Sequence, residues 1–187
     1  MQLIETAIPA VKLIVAKKHG DHRGFFSEVY GRKAMRDACG IDLEFVQDNH
    51  SLSAEKGVVR GLHYQIAPMA QDKLVRVVRG AILDVAVDIR WGSPSFGRHI
   101  AVVLSASGGN QVFIPEGFAH GYCTLEPGTE VIYKVSAYYS PDHDRGLLWN
   151  DPALAIAWPI SSDEALISDR DRQHPVLSRL PRSFEYG

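Results

Sequence analysis

The 187-residue chain sets 20 Lys and Arg against 22 Asp and Glu, a net charge of −2. It therefore lacks the basic excess that draws proteins to nucleic acid or to an anionic membrane surface. Hydrophobic residues make up 45%, too many for a disordered chain and enough for residues 1–187 to be expected as a single domain that needs no covalent staple. Two cysteines, Cys39 and Cys123, exclude a disulfide framework and a Cys-rich zinc site.

The first twenty residues carry Glu5, Pro9 and Lys12 among their apolar positions and no basic leader, so neither a signal peptide nor an anchor is expected. No apolar run approaches the ~20 residues that span a bilayer, and a cytoplasmic location is the default expectation. A helix is predicted over residues 32–38, closed by Gly40. Along residues 74–90, Leu83, Val85, Val87 and Ile89 alternate with Asp84, Ala86, Asp88 and Arg90, the pattern of a half-buried strand, with Gly80 as a turn or bend. Further strands are predicted at 100–104, 111–114 and 130–139, with a turn at 107–110. After Pro152 the pattern predicts a strand at 156–158 and a helical turn around 163–167. Many short strands with little helix indicate an all-β sandwich, barrel or jelly roll. No glycine-rich nucleotide fingerprint of the Rossmann or P-loop kind is present.

Two segments carry chemistry. The run from Gly57 to Gln65, followed by Lys73 to Gly80, resembles the first motif of the cupins, small jelly-roll barrels, written G-x5-H-x-H and E-x6-G. Gly109 to His120 resembles the second, G-x5-P-x-G-x2-H, and matches it fully. The first match is broken: His63 is in place, but Gln65 replaces the second histidine and Lys73 replaces the glutamate, across a longer loop at 66–72. An ammonium where a metal cupin has its carboxylate repels a divalent ion, and two imidazoles alone rarely hold a catalytic metal. No metal and no cofactor is therefore expected. Taken singly, His63 reads as an ordinary strand histidine, and His120 equally as a site residue or a supporting one. A lysine pointing into a barrel is harder to explain without function, because Lys is seldom buried unpaired. Together His63 and Lys73 suit proton abstraction with stabilisation of the resulting anion.

The runs 19–30, 45–53, 57–65, 71–90, 93–99, 114–122, 133–141, 149–152 and 167–171 together resemble the dTDP-4-dehydrorhamnose 3,5-epimerases, a sugar-nucleotide epimerase family of the cupins. The resemblance implies an all-β double-stranded β-helix with a few short helices. It implies metal-independent epimerisation of dTDP-4-dehydro-6-deoxy-D-glucose to dTDP-4-dehydro-L-rhamnose, the chemistry of dTDP-rhamnose supply. It assigns His63 as base, Asp171 as its carboxylate partner, Lys73 as the cation on the enolate oxygen and Tyr133 as acid. Arg60 and His120 match positions around diphosphate and sugar, Gln47 and Asn49 substrate contacts, and Tyr139 the aromatic on thymine. Asp144 and Arg170 are weaker matches. Arg23, Phe26 and Glu28 match nucleotide-binding positions, some of which reach the partner's site, so a homodimer with shared sites is implied. His22 and Asp144 stand where the family more often has Glu. The alternatives are a related cupin acting as a 5- or 3-epimerase or a ketoisomerase, a metal-dependent cupin, and a catalytically silent one.

Overall fold

The computed structural model describes residues 1–187. Its strands, in chain order, are β1 (Gln2–Ile4), β2 (Lys12–Val15), β3 (His19–Asp21), β4 (Gly24–Phe26), β5 (Gln47–Ser53), β6 (Val59–Gln65), β7 (Lys73–Arg79), β8 (Ala81–Asp88), β9 (His99–Ser105), β10 (Asn110–Ile114), β11 (Phe118–Thr124), β12 (Thr129–Val135) and β13 (Asp144–Gly146). Helices α1 (Arg32–Cys39) and α2 (Asp169–Arg172) complete the regular structure, with 3₁₀ turns at Pro152–Leu154 and Leu177–Arg179. One sheet runs β1-β2-β10-β7-β12-β5 and a second β13-β6-β11-β8-β9, while β3 and β4 form a separate hairpin. From β5 onward the chain passes back and forth between the two large sheets, and all pairings are antiparallel. This is the jelly-roll, cupin-type architecture that the period-two pattern and the motifs predict.

The two sheets close on a core in which Val75, Val77, Val112, Ile114 and Val131 of one face Ile82, Ala86, Ile100, Leu104 and Phe118 of the other. Inward rows then turn polar: on β7 the row Val77, Val75 ends at Lys73, and on β12 Val131 is followed by Tyr133. That change from apolar to polar is where the cavity begins. The outer faces are covered too. Met35 and Cys39 of α1 pack on Ile14, Leu74 and Phe113, and Leu147, Leu154 and Leu180 cover Leu62, Val85, Val87 and Ala119. Each fully buried aliphatic side chain contributes about 1.5–3 kcal/mol. Gly40 closes α1 in the left-handed region, with φ of 66°.

The structure departs from the sequence pattern in four places. Strand β8 is buried on both faces rather than half-buried, because the C-terminal segment covers its outer side; Asp84 and Asp88 are interior residues, 1% and 0% exposed. Strand β12 ends at Val135, not at 139. Beyond it the backbone of 137–139 bonds to side chains instead of strands: Gln71 donates to the Ala137 carbonyl, Gln65 to that of Tyr138, and Gln47 accepts from the Tyr139 N–H. Residues 156–158 form no strand; the chain turns on itself, with Trp158 N–H donating to the Ile156 carbonyl after Ala155 adopts a φ of 49°. A single hydrogen-bonded turn forms at 161–165, where the Ala165 N–H donates to the Ser161 carbonyl, while the helix proper falls at 169–172, with Ser168 supplying the capping oxygen to the Asp171 N–H at 3.1 Å.

Candidate active site

A cavity of about 800 Å³ opens between the two sheets. Strands β6 and β11 place His63 and His120 directly opposite each other on one wall. Strand β12 places Tyr133 on the other wall, beside Asn49 of β5 and diagonal to Lys73 of β7, since Tyr133 pairs with Val75 and Val135 with Lys73.

His63 Nε2 lies 2.7 Å from Asp171 Oδ1, and no protein atom bonds its Nδ1. Asp171 is 5% exposed, and its Oδ2 accepts the Gly61 N–H at 3.1 Å. Burial works to raise the Asp171 carboxyl, but the contacts of His174 and His63 and the Gly61 N–H outweigh it and hold the group well below the usual carboxylate range. Gly61 makes this geometry accessible. Its φ is +122°, and a Cβ there would stand 2.6 Å from Gly121 Cα and 2.8 Å from the His120 carbonyl oxygen.

Lys73 is 8% exposed and donates to the His63 carbonyl at 3.2 Å. Burial pushes its ammonium down to about 8, against the opposing charges of Asp144 and Asp84. His120 Nε2 sits 2.9 Å from Asp84 Oδ2; burial lowers the imidazole's affinity for a proton, against the raising effect of that carboxylate. Burial, first, and then the neighbouring Tyr122 raise the Tyr133 phenol, which keeps its proton. Gln65 explains the broken metal motif: buried, it donates to the carbonyls of Met69 and Tyr138 and accepts from the Ser140 N–H, fastening two loops.

At the cavity mouth Arg170 pairs with Asp144, and the Tyr139 hydroxyl donates to the same carboxylate at 3.2 Å. Arg60 donates to Ser53 Oγ and the Leu52 carbonyl, and Gln47 to Asn49. Thus eleven of the fourteen residues singled out from sequence line one cavity. Arg23, Phe26 and Glu28 do not. They lie on or just after the β3–β4 hairpin, exposed, with Arg23 paired to Asp21 and Phe26 73% exposed. Two residues escaped the sequence reading. Asp84 looked like a solvent-face acid. His174 was hidden in the tail, although Asp171-x-x-His174 is a spacing that puts two donors on one side of a helical turn. The donor atoms of His63, Asp171 and His174 lie within 4.8 Å of one another, the group here whose atoms converge as metal ligands do.

An imidazole–carboxylate pair facing a phenol and an ammonium across a cupin-type barrel is an arrangement for proton transfer, the equipment of an epimerase. The chain belongs to the dTDP-4-dehydrorhamnose 3,5-epimerase family, whose family model matches residues 5–179, and it is an epimerase. It is 52% identical over 180 residues to the dTDP-4-dehydrorhamnose 3,5-epimerase of Sinorhizobium fredii, covering 96% of this chain and 91% of that one. Among solved structures, that of the Bacillus anthracis dTDP-4-dehydrorhamnose 3,5-epimerase with TDP and pyrophosphate bound is 50% identical, with a TM-score of 0.90 over 94% of this chain and 98% of that one. A Legionella pneumophila dTDP-6-deoxy-D-glucose-3,5-epimerase in complex with dTDP-4-keto-L-rhamnose is 41% identical, with a TM-score of 0.94 over 100% and 98%. No helix is long and apolar enough to cross a membrane.

Proposed function

We propose that the whole chain acts as one catalytic domain that epimerises dTDP-4-dehydro-6-deoxy-D-glucose at C3 and C5 to dTDP-4-dehydro-L-rhamnose, without metal or cofactor. The reading is carried by the placement of His63 with Asp171 on one wall and Tyr133 with Lys73 on the other. The C4 ketone acidifies the C–H bonds at C3 and C5. His63 Nδ1 takes the proton, the C–H electrons move onto the C4 oxygen, and the buried Lys73 stabilises that enolate, an effect of roughly 10²–10³ in rate for one such donor. Asp171 fixes the imidazole tautomer and stabilises the imidazolium. Tyr133 returns a proton to the opposite face, which inverts the carbon and restores the ketone. His63 and Tyr133 then re-equilibrate with solvent before the second carbon reacts.

Arg60, His120, Gln47 and Asn49 hold diphosphate and sugar, and Tyr139, with Asp144 and Arg170 behind it, takes the thymine face. The exposed hairpin bearing Arg23, Phe26 and Glu28 reaches the cavity of a second copy, making the working unit a homodimer in the cytoplasm. Proton NMR of the protein with dTDP-4-dehydro-6-deoxy-D-glucose in D₂O tests the chemistry. Deuterium at both C3 and C5, with the L-configured product accumulating, is the expected result; exchange at one carbon alone would reduce the activity to a single epimerisation.

A further inference from the structure

His174 stands out as a buried histidine whose Nε2 meets only a carboxylate oxygen that His63 already engages. Its side chain is 10% exposed, and its Nε2 makes no well-aligned hydrogen bond. A buried ring nitrogen sharing an oxygen that is already engaged is poorly satisfied, and an ion is a group that would satisfy it. The ring is also held firmly. It stacks edge-to-face on His63 at 5.6 Å and 85°. It lies on Gly146, where a Cβ would come within 2.3 Å of ring atoms. Its Nε2 lies 3.4 Å from Asp171 Oδ1, the same oxygen that meets His63 Nε2 at 2.7 Å.

We propose that His63 Nε2, Asp171 Oδ1 and His174 Nε2 form a site for a divalent transition ion of the zinc class, and that occupancy shuts the enzyme off reversibly. Two imidazoles and a carboxylate are the donor set of three-ligand zinc sites, with the remaining position left to water. Asp171 stands on α2 and His174 two residues past its last residue, and His63 comes from β6, so two segments far apart in sequence supply the set. The site shares His63 with the cupin metal position, two of whose ligands Gln65 and Lys73 have replaced, and takes its other donors from the C-terminal segment. Lys73 lines the same cavity and opposes a second cation, which limits the affinity.

The chemistry of inhibition follows from proton placement. In the free enzyme His63 carries its proton on Nε2, facing Asp171, and Nδ1 is open. An ion bound at Nε2 displaces that proton, and the neutral imidazole keeps one proton by moving it to Nδ1. The nitrogen that must accept the substrate proton is then filled. The ion exchanges water ligands for the three protein donors; no electron is transferred. The inhibition, though not the binding, rests on the role proposed above for His63.

Titration of the full chain with Co²⁺, followed by visible d–d absorption, reads binding directly, and Zn²⁺ titration of turnover reads inhibition. One Co²⁺ per chain with the spectrum of a four- or five-coordinate ion is expected, together with Zn²⁺ inhibition that EDTA reverses. His174→Ala should weaken both by at least roughly tenfold. His174→Gln, which preserves bulk against Gly146, should do the same if the alanine variant folds poorly. Unchanged Co²⁺ spectra and Zn²⁺ sensitivity in these variants would overturn the site, as would a wild-type chain that gives no Co²⁺ bands. A wild-type chain that binds Co²⁺ at this site yet shows no epimerase activity would count against the proposed function and leave the metal site standing.

Discussion

Tyr133 and His63 project from different sheets, so either can be altered while the other stays in place. Tyr133→Phe keeps the ring and removes only the acid. His63 can still take a proton and return one to the same face, so the variant should wash deuterium into C5 while inversion falls by roughly 10²–10⁴. One NMR time course gives both rates; parallel losses would point to a binding role instead. Lys73 makes the opposite trade. Its depression to about 8 from an ordinary 10.5 means that the folded state disfavours the charge the enolate needs, at a cost of about 3 kcal/mol. Lys73→Met should therefore lose roughly 10²–10³ in turnover and yet melt at a higher temperature than the wild type. A variant with both lower activity and a lower melting point would contradict this assignment of burial as the cause. Chelation is a further check: EDTA should leave wild-type turnover undiminished, and a loss restored by Fe²⁺ or Mn²⁺ would show that Gln65 and Lys73 had been misread.

At the level of elements, the site depends on two backbones that approach closely. A Cβ on Gly61 would meet Gly121 and the His120 carbonyl, atoms that cannot swing aside, and would displace the N–H that Asp171 accepts. Gly61→Ala should cost about 1–3 kcal/mol by urea denaturation and depress turnover beyond that loss of folded protein. Full activity in the folded fraction would mean that the Gly61 contact is dispensable. This junction was legible in sequence only as part of a motif; the helix closed by Gly40 and the strand opening after Gly80 were legible outright, because glycine at a left-handed position is a local signal. What escaped depends on long-range contacts. Nothing within 130–139 says that Gln47, Gln65 and Gln71 will take over the backbone after Val135. Asp84 alternates like a surface acid, and only the closure of the two sheets over its row, which it shares with Ile82 and Ala86, makes it an interior partner of His120. His174 acquires meaning when the tail brings it against His63.

At the scale of the whole molecule, an exposed hairpin stands outside the chain's own cavity. The β3–β4 hairpin holds Phe25 and Phe26 at 64% and 73% exposure, and neither Arg23 nor Phe26 lines the cavity of its own chain. Exposed aromatics of this size on a projecting hairpin fit a surface that a second copy covers, and an exchange of hairpins between two copies satisfies the two-fold symmetry of most small assemblies. Light scattering should give twice the 20.7 kDa chain mass. Sharing of sites has a stricter consequence. A His63→Ala chain has a dead cavity and a sound hairpin; an Arg23→Ala, Phe26→Ala chain has a sound cavity and a defective hairpin. In a mixed dimer the second chain's cavity receives the first chain's hairpin and becomes complete. Unfolding and refolding the two variants together in equal amounts should restore activity to about a quarter of the sites, since half of randomly formed dimers are mixed and each has one complete site. Neither variant refolded alone should recover. If the mixture stays as inactive as its parts, the hairpin serves its own subunit or none, and the shared-site dimer fails even where scattering reports two chains.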